Sequence, residues 1–236
     1  MNVEIDITRE CNFSCPGCDR LCNLKKTNPR SIMNMEDVKI LHNHLKGYKI
    51  NILAVMGGEP TLNPDFLEIC NFLYNNIKYN KFVIRTNYSN PILLDELIKI
   101  CPDTIIETSN KTKDIKSIMD YKLNNHLNFL FSPTENSSLL YKDTICNVHR
   151  YAGYGCCKYN GRVVWSICCA SISLLIILNK EDLLCNSLSE CIQNKENIEN
   201  NICKHCMYKC DNPIYIKDND TISNCFKDGL SKYINS

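Results

Sequence analysis

Short apolar runs alternate with longer segments of helical periodicity along the first half of the chain. Each apolar run has the length and the β-branched content of a buried strand, and each periodic segment places its apolar residues on one face of a helix. This alternation is typical of parallel strands covered by helices. The predicted strands are Val3–Thr8, Ile50–Met56, Phe82–Arg85, Thr104–Glu107 and Leu127–Phe131, and the predicted helices are 34–46, 63–77, 92–100 and 114–123.

Capping signals set the expected ends of two of these helices. Asn34 precedes a segment whose apolar residues Val38, Leu41 and Leu45 share one face, and Gly47 follows the last of them. An N-capping asparagine and a terminating glycine are the usual helix boundaries. Asn63, followed by Pro64, predicts the start of the second helix by the same reasoning.

The second half of the chain has a different pattern, and we expect a domain boundary that separates residues 1–145 from 146–236. Asn160-Gly161, inside the run 154–165, predicts a hairpin turn. The apolar stretch 163–178 is predicted to form buried strands, since it falls short of the roughly 20 residues that span a bilayer. Residues 181–193 are expected to form a helix, and the polar run 194–201 a loop.

Polar and cysteine-rich motifs follow the first three predicted strands. The segment CNFSCPGC follows the first strand, Gly57-Gly58-Glu59-Pro60 the second and Thr86-Asn87 the third. In a parallel barrel the carboxyl ends of the strands and their loops form the active-site face. Since a complete eightfold barrel takes roughly 250 residues, five or six units predict a partial (β/α) barrel of the TIM type, within the α/β fold class.

Composition narrows the class of protein. The 236 residues are 44% hydrophobic and carry 27 basic against 26 acidic side chains, so no overall charge favours nucleic acid as a partner. The N-terminal residues lack the pattern of a signal peptide. Seventeen cysteines form an odd number that fits a disulfide framework poorly, which favours thiolates on metal in a reducing cytoplasm.

Cys11, Cys15 and Cys18 have the spacing C-x3-C-x2-C, which suits three irons of a four-iron cluster and leaves the fourth iron open to an outside ligand. With the GGEP segment downstream, this motif resembles the radical S-adenosylmethionine (radical SAM) superfamily. The resemblance implies a [4Fe-4S] cluster whose open iron is chelated by SAM. It also implies reductive cleavage of SAM to a 5'-deoxyadenosyl radical that abstracts hydrogen from substrate.

The resemblance also suggests which residues contact SAM. The turn of Gly57, Gly58, Glu59 and Pro60 would receive the amino group of the methionine moiety, with Glu59 accepting a hydrogen bond from it. Polar contacts to the ribose or carboxylate are expected from Asn87, Ser109 and Asn110. Cys22 is the open alternative at this site, because as a fourth thiolate it would close the cluster or make a zinc site.

The C-terminal cysteines resemble those of SPASM and twitch extensions, which carry auxiliary iron-sulfur clusters in radical SAM enzymes. This resemblance implies one auxiliary [4Fe-4S] cluster in a small cysteine-rich domain. The alternative is a structural zinc, since C-x2-C pairs bind zinc equally well. The expected ligands are Cys157, Cys168, Cys203 and Cys206, with Cys156, Cys169 and Cys210 as substitutes.

These observations favour a cytoplasmic radical SAM enzyme. The resemblance implies a low-potential electron donor of the flavodoxin or ferredoxin type. It also implies a peptide or small natural-product substrate, with a sugar or nucleoside as the alternative. The rival class is an iron-sulfur electron carrier with closed clusters, and the GGEP motif favours the enzyme.

Overall fold

The strands form one sheet of mixed direction in the computed structural model, which describes residues 1–13, 18, 20–22, 31–109, 127–130 and 153–203. The strands lie in the order β5-β4-β3-β2-β1-β6-β7. Every neighbouring pair is parallel except β6 and β7. The strands are β1 (Asn2–Thr8), β2 (Ile50–Gly57), β3 (Tyr79–Thr86), β4 (Ile105–Ser109), β5 (Leu127–Leu130), β6 (Tyr154–Tyr159) and β7 (Arg162–Ser166).

Helices in the described ranges connect and cover these strands. They are α1 (Met35–Leu45), α2 (Phe66–Asn76), α3 (Pro91–Ile100), α4 (Cys169–Ile177), α5 (Leu188–Gln193) and α6 (Lys195–Ile202), with short 3-10 turns at Pro60–Leu62 and Glu181–Leu183. The mixed α/β fold and the run of parallel strands are consistent with the predicted partial barrel. None of the helices that the structure describes is long and apolar enough to cross a bilayer.

The N-terminus of α1 confirms the predicted cap. The side-chain oxygen of Asn34 accepts hydrogen bonds from the backbone N–H groups of Glu36 and Asp37, at 3.0 and 3.1 Å. The Asp37 carboxylate accepts one from the backbone N–H of Asn34 in return, at 2.9 Å. This reciprocal pair is a capping box. Gly47 follows the helix with a φ of +84°, a conformation that favours glycine.

The predicted start of α2 is wrong by about three residues. The helix begins at Phe66, after the 3-10 turn. The Asn63 side-chain amide donates to the backbone oxygens of Ile7 and Met33, at 2.8 and 2.9 Å. Asn63 therefore joins the end of β1 to the segment before α1. Its side-chain oxygen accepts from the backbone N–H of Asp65 at 2.8 Å, in the turn that precedes the helix.

The structure also differs from three expectations about the second half of the chain. Only the first part of 163–178 is a strand, and the rest is α4, a helix surrounded by the core. The expected helix 181–193 is interrupted where the backbones of Cys185 and Trp165 pair. The polar run expected to be a loop forms α6, whose Ile198 and Ile202 are buried four residues apart.

The predicted hairpin at 154–165 is confirmed, with Asn160 and Gly161 at φ angles of +47° and +77°. Its first strand also pairs with β1 in parallel, with Asp6 opposite Cys157. The sheet therefore continues across the expected boundary between residues 1–145 and 146–236, and the division into two domains stays a prediction. The predicted helix 114–123 lies outside the described residues.

The two faces of the sheet differ in polarity. Val3, Ile5 and Ile7 of β1 belong to the main hydrophobic core on the side of α1. Glu4 and Asp6 alternate with them and therefore lie on the opposite face. We call this opposite face the concave face; it is the interior face of the predicted barrel. Its apolar part is a small cluster of Ala54, Met56 and Val83.

Candidate functional site at the ends of the first strands

The turn after β2 contacts the chain that leads from β1 to the first cysteine. The backbone N–H of Gly58 donates to the Thr8 oxygen at 2.9 Å, and that of Glu59 donates to the Glu10 oxygen at 2.8 Å. A Cβ atom on Gly57 would lie 2.0 Å from the Thr8 oxygen, and one on Gly58 would lie 2.1 Å from the Glu10 oxygen. Only glycine permits this approach, which joins the turn to the residue next to Cys11.

Glu59 has a different environment from the one expected. Its side chain is 0% exposed. Its Oε1 atom accepts hydrogen bonds from the backbone N–H and the hydroxyl of Thr61, at 3.2 and 2.7 Å, and from the hydroxyl of Thr86, at 2.7 Å. Its Oε2 atom accepts one from the backbone N–H of Asn87, at 2.6 Å. The carboxylate therefore joins the ends of β2 and β3, and these protein donors occupy both of its oxygens.

Asn87 links the loop after β3 to the cysteine loop. Its side-chain amide donates to the Asn12 side-chain oxygen at 2.7 Å, and its own oxygen accepts from the backbone N–H of Ser89 at 2.9 Å. Tyr88, the next residue, is buried with a φ of +63°, which is uncommon for a bulky side chain. Such conformations are concentrated at functional sites. The motifs after the first three strands thus meet at one end of the sheet, as predicted.

Two of the three predicted cluster ligands fall within the described residues. Cys11 and Cys18 are both half-buried, and the Cys11 sulfur accepts a hydrogen bond from the backbone N–H of Phe13 at 3.4 Å. Accessible thiols with an N–H donor beside the sulfur suit an iron-sulfur cluster. Cys15 lies outside the described residues, as do Asn110 and Cys206, and of Ser109 only the position at the end of β4 is described.

Cys22 is buried beside Cys18, at 5% exposure. A hydrogen bond between the two thiols and the burial of Cys22 raise the pKa of Cys22 well above its usual value. The fourth cysteine of the N-terminal group is therefore close to the predicted cluster site. The contact between Cys22 and Cys18 favours the alternative in which Cys22 is a fourth thiolate ligand and closes the cluster.

The C-terminal cysteines that the structure describes lie on different elements of the fold. Burial raises the pKa of Cys157 to about 12, and the positive charge of Arg9 opposes the rise. Cys168 precedes α4 and interacts electrostatically with Cys191, which is hydrogen-bonded to Cys185. In the described ranges no three metal-binding side chains are arranged to hold an ion. The set of Cys157, Cys168 and Cys203 with Cys206 stays a prediction.

A continuous ionic network occupies the concave face. Arg20 donates to Asp6 at 2.9 Å and to Glu4 at 3.2 Å, and Arg9 lies 3.5 Å from the other oxygen of Asp6. Arg85 pairs with Glu4 and, at 2.7 Å, with Glu107. Three guanidinium groups thus balance three carboxylates. The sequence interpretation missed this network, although two acids at alternate positions of a buried strand, in VEIDIT, are the signal that indicates it.

Comparison with known proteins identifies the class of the N-terminal region. Residues 5–109 match the family model of the Radical SAM superfamily. GTP 3',8-cyclase from Haemophilus ducreyi is 28% identical over 85 residues, which cover 36% of this chain and about a quarter, 25%, of the cyclase. The matched region is therefore similar to radical SAM domains, and this similarity leads us to expect a [4Fe-4S] cluster and SAM as cofactors.

A structural neighbour is the protein in "Crystal structure of BtrN in complex with AdoMet and 2-DOIA". The two chains superpose with a TM-score of 0.44 and 14% sequence identity. The superposition covers 55% of this chain and 58% of the neighbour.

Proposed function

We propose that this protein is a radical SAM enzyme that cleaves SAM reductively and uses the resulting radical to abstract hydrogen from a substrate. One observation carries the proposal. The Gly57-Gly58-Glu59 turn is hydrogen-bonded to Thr8 and Glu10, immediately before Cys11. A glycine turn held against a cysteine loop presents a backbone surface for a small ligand next to the metal.

The residues present fit a cluster and SAM. Cys11, Cys15 and Cys18 would hold three irons, and the backbone of the turn 57–60 would hold the methionine end of SAM at the fourth. When bound, these cofactors supply the 5'-deoxyadenosyl radical. Glu59 holds the turn and the loop after β3 in place through its buried hydrogen bonds. Asn87, Ser109 and Asn110 complete the proposed contacts to SAM.

The concave face is the proposed position of the substrate, as in other parallel barrels. Arg85 and Glu107 are its more accessible ionic residues, with side chains that are 21% and 17% exposed. Their charges suit a substrate with polar groups. We propose a peptide or a small natural product, and a sugar or nucleoside is the alternative within the same enzyme class.

An auxiliary [4Fe-4S] cluster is a further part of the proposal, supported by the density of cysteines after residue 145. Cys157, Cys168, Cys203 and Cys206 are its proposed ligands. Because the Arg9 guanidinium interacts electrostatically with Cys157, Cys157→Ala is the informative variant. If Cys157 is a ligand, the variant loses the auxiliary iron as Cys203→Ala does. If the variant keeps its auxiliary iron, Cys157 is not a ligand and belongs to the Arg9 network instead. A tightly bound zinc in place of iron would contradict the proposed auxiliary cluster.

A low-potential donor of the flavodoxin or ferredoxin type in the cytoplasm completes the proposal. The rival function is an iron-sulfur electron carrier, which the contact between Cys22 and Cys18 favours. A four-thiolate cluster would leave no iron for SAM.

The test is anaerobic reconstitution with iron and sulfide, reduction with dithionite in the presence of SAM, and chromatography for 5'-deoxyadenosine. The wild-type protein is expected to form this product, and the Cys15→Ala variant is expected to form none. Bound iron without SAM cleavage across several reductants would favour the electron carrier. Stoichiometric zinc without iron would overturn the proposal.

A further inference from the structure

The cysteine loop is anchored through a turn that begins at Cys18. The backbone N–H of Leu21 donates to the Cys18 oxygen at 3.2 Å, and Leu21 has a φ of +50°. This hydrogen bond closes a tight turn, in which Arg20 directly precedes Leu21. Because this hydrogen bond closes the turn, contacts that hold Arg20 also restrain the backbone of Cys18.

Arg20 is held through its side chain by β1. The guanidinium donates to Asp6 at 2.9 Å and to Glu4 at 3.2 Å, and all three side chains are almost fully buried. Charge-assisted hydrogen bonds of this kind are roughly twice as strong as neutral ones. They join the turn firmly to the concave face of the sheet.

Arg20 is also held through its backbone oxygen, by two donors that lie far apart in the sequence. The Arg9 guanidinium donates to this oxygen at 2.6 Å, and the Ser173 hydroxyl donates to it as well. Arg9 donates to the Ser173 hydroxyl in turn. Arg9 and Ser173 are both 0% exposed, so water cannot replace a bond that is lost.

Ser173 belongs to α4, in the C-terminal half of the chain. It is separated from Arg20 by 153 positions, and its hydroxyl gives α4 a direct hydrogen bond to this turn. We propose that Ser173, together with Arg9, is a positioning residue that couples α4 to the cluster-binding loop. The inference rests on the proposed function, since it takes Cys18 as a cluster ligand.

The inference predicts that Ser173→Ala loosens the cluster without unfolding the protein. The variant loses both hydrogen bonds of the Ser173 hydroxyl. Because the one to the Arg20 oxygen holds the turn, the release of iron to a chelator is expected to be about two- to tenfold faster. The electron paramagnetic resonance spectrum of the reduced cluster with SAM is expected to broaden, because the loop occupies more than one position. Both measurements use the full reconstituted chain, well below its unfolding temperature.

Ser166→Ala is the matched control. Ser166 is equally buried, and its hydroxyl has no hydrogen-bond partner in the part of the chain that the structure describes. It is expected to release iron at the wild-type rate. Arg20→Lys is the second variant, because lysine keeps the charge but cannot make the bidentate contact to Asp6 and Glu4; it is expected to speed iron release as well.

The outcomes separate the inference from the proposed function. If wild type and every variant hold iron equally and give the same spectrum, the positioning role is wrong and the proposed function stands. If the wild-type protein binds no iron-sulfur cluster at all, both are wrong. Faster release from Ser173→Ala and Arg20→Lys, with the control unchanged, supports the inference.

Discussion

Glu59 shows how a single buried carboxylate organises the site. It accepts four hydrogen bonds from Thr61, Thr86 and Asn87 while fully shielded from water. Thr86 and Asn87 lie at the end of β3 and just after it, and Thr61 lies in the 3-10 turn that follows β2. We infer that Glu59 keeps the turn at 57–60 and the loop at 87–89 in one arrangement.

The stability of the folded protein tests this role. In Glu59→Gln an amide N–H₂ group replaces an oxygen that accepts from a backbone N–H or from hydroxyls, which leaves a buried donor unsatisfied. The free energy of unfolding is expected to fall by about 1–3 kcal/mol in a urea titration. Glu68→Gln, at an exposed position of α2, is the control and is expected to stay within about 0.5 kcal/mol of wild type. Equal stability of the two variants would contradict the anchoring role.

The Cys22→Ala variant tests whether one iron of the N-terminal cluster lacks a protein ligand. Because three thiolates suffice in the proposed site, Cys22→Ala is expected to keep roughly four irons at the N-terminal cluster. Cys11→Ala is expected to lose them. Iron and sulfide analysis, in a background without the C-terminal cluster ligands, makes the comparison. Loss of iron from Cys22→Ala equal to that from Cys11→Ala would assign Cys22 as the fourth ligand and favour the electron carrier.

At the scale of elements, the site depends on close approach between the β2 turn and the end of β1. Gly58→Ala places a Cβ atom 2.1 Å from the Glu10 oxygen, so the backbone before Cys11 must move. Iron retention during gel filtration is expected to fall.

Gly161→Ala is the contrasting variant. Its φ of +77° makes alanine unfavourable, by roughly 1–2 kcal/mol, but nothing lies within 4 Å of the added Cβ. We expect it to lose stability and to keep its iron, and equal iron loss from both variants would contradict the account.

The sequence predicted the elements whose signals are local. The cap at Asn34, the stop at Gly47 and the hairpin turn at 160–161 depend on residues that act on their own backbone, and the structure confirms all three. The predicted start of α2 was wrong because Asn63 lies in the turn before the helix, where its side-chain oxygen accepts from Asp65 and its amide bonds to distant backbone oxygens. The helix α6 was missed because only two isoleucines in a polar segment indicate its buried face.

The site shows the same division between local and distant signals. The spacing of the cysteines and the glycine pair are local patterns, so the sequence located the loop and the turn that meet at the end of the sheet. The role of Glu59 depends on Thr86 and Asn87, which only the pairing of β2 with β3 brings near. The contact between Arg9, Arg20 and Ser173 joins residues that no local pattern relates.

For the whole molecule, the continuity of the sheet bears on its domain organisation. β1 has a neighbour on each side, β2 and β6, and α4 contributes Ser173 to the network at the cysteine loop. A fragment of residues 1–145 would expose one edge of β1 and remove Ser173, which is one of the partners of Arg9. We expect it to aggregate, since an unpaired apolar edge promotes association. Cooperative unfolding of a soluble fragment with bound iron would instead support two independent domains.

The open iron is the central claim, and the most direct measurement is the electron paramagnetic resonance spectrum of the dithionite-reduced protein with and without SAM. The Cys157→Ala/Cys203→Ala double variant is used, so that the N-terminal cluster dominates the signal. Binding of SAM to an open iron is expected to shift the g-values of that cluster, and an isotope-labelled methionine moiety is expected to add a hyperfine coupling. An unchanged spectrum at saturating SAM, with full iron content, would mean that the cluster is closed and that the protein carries electrons.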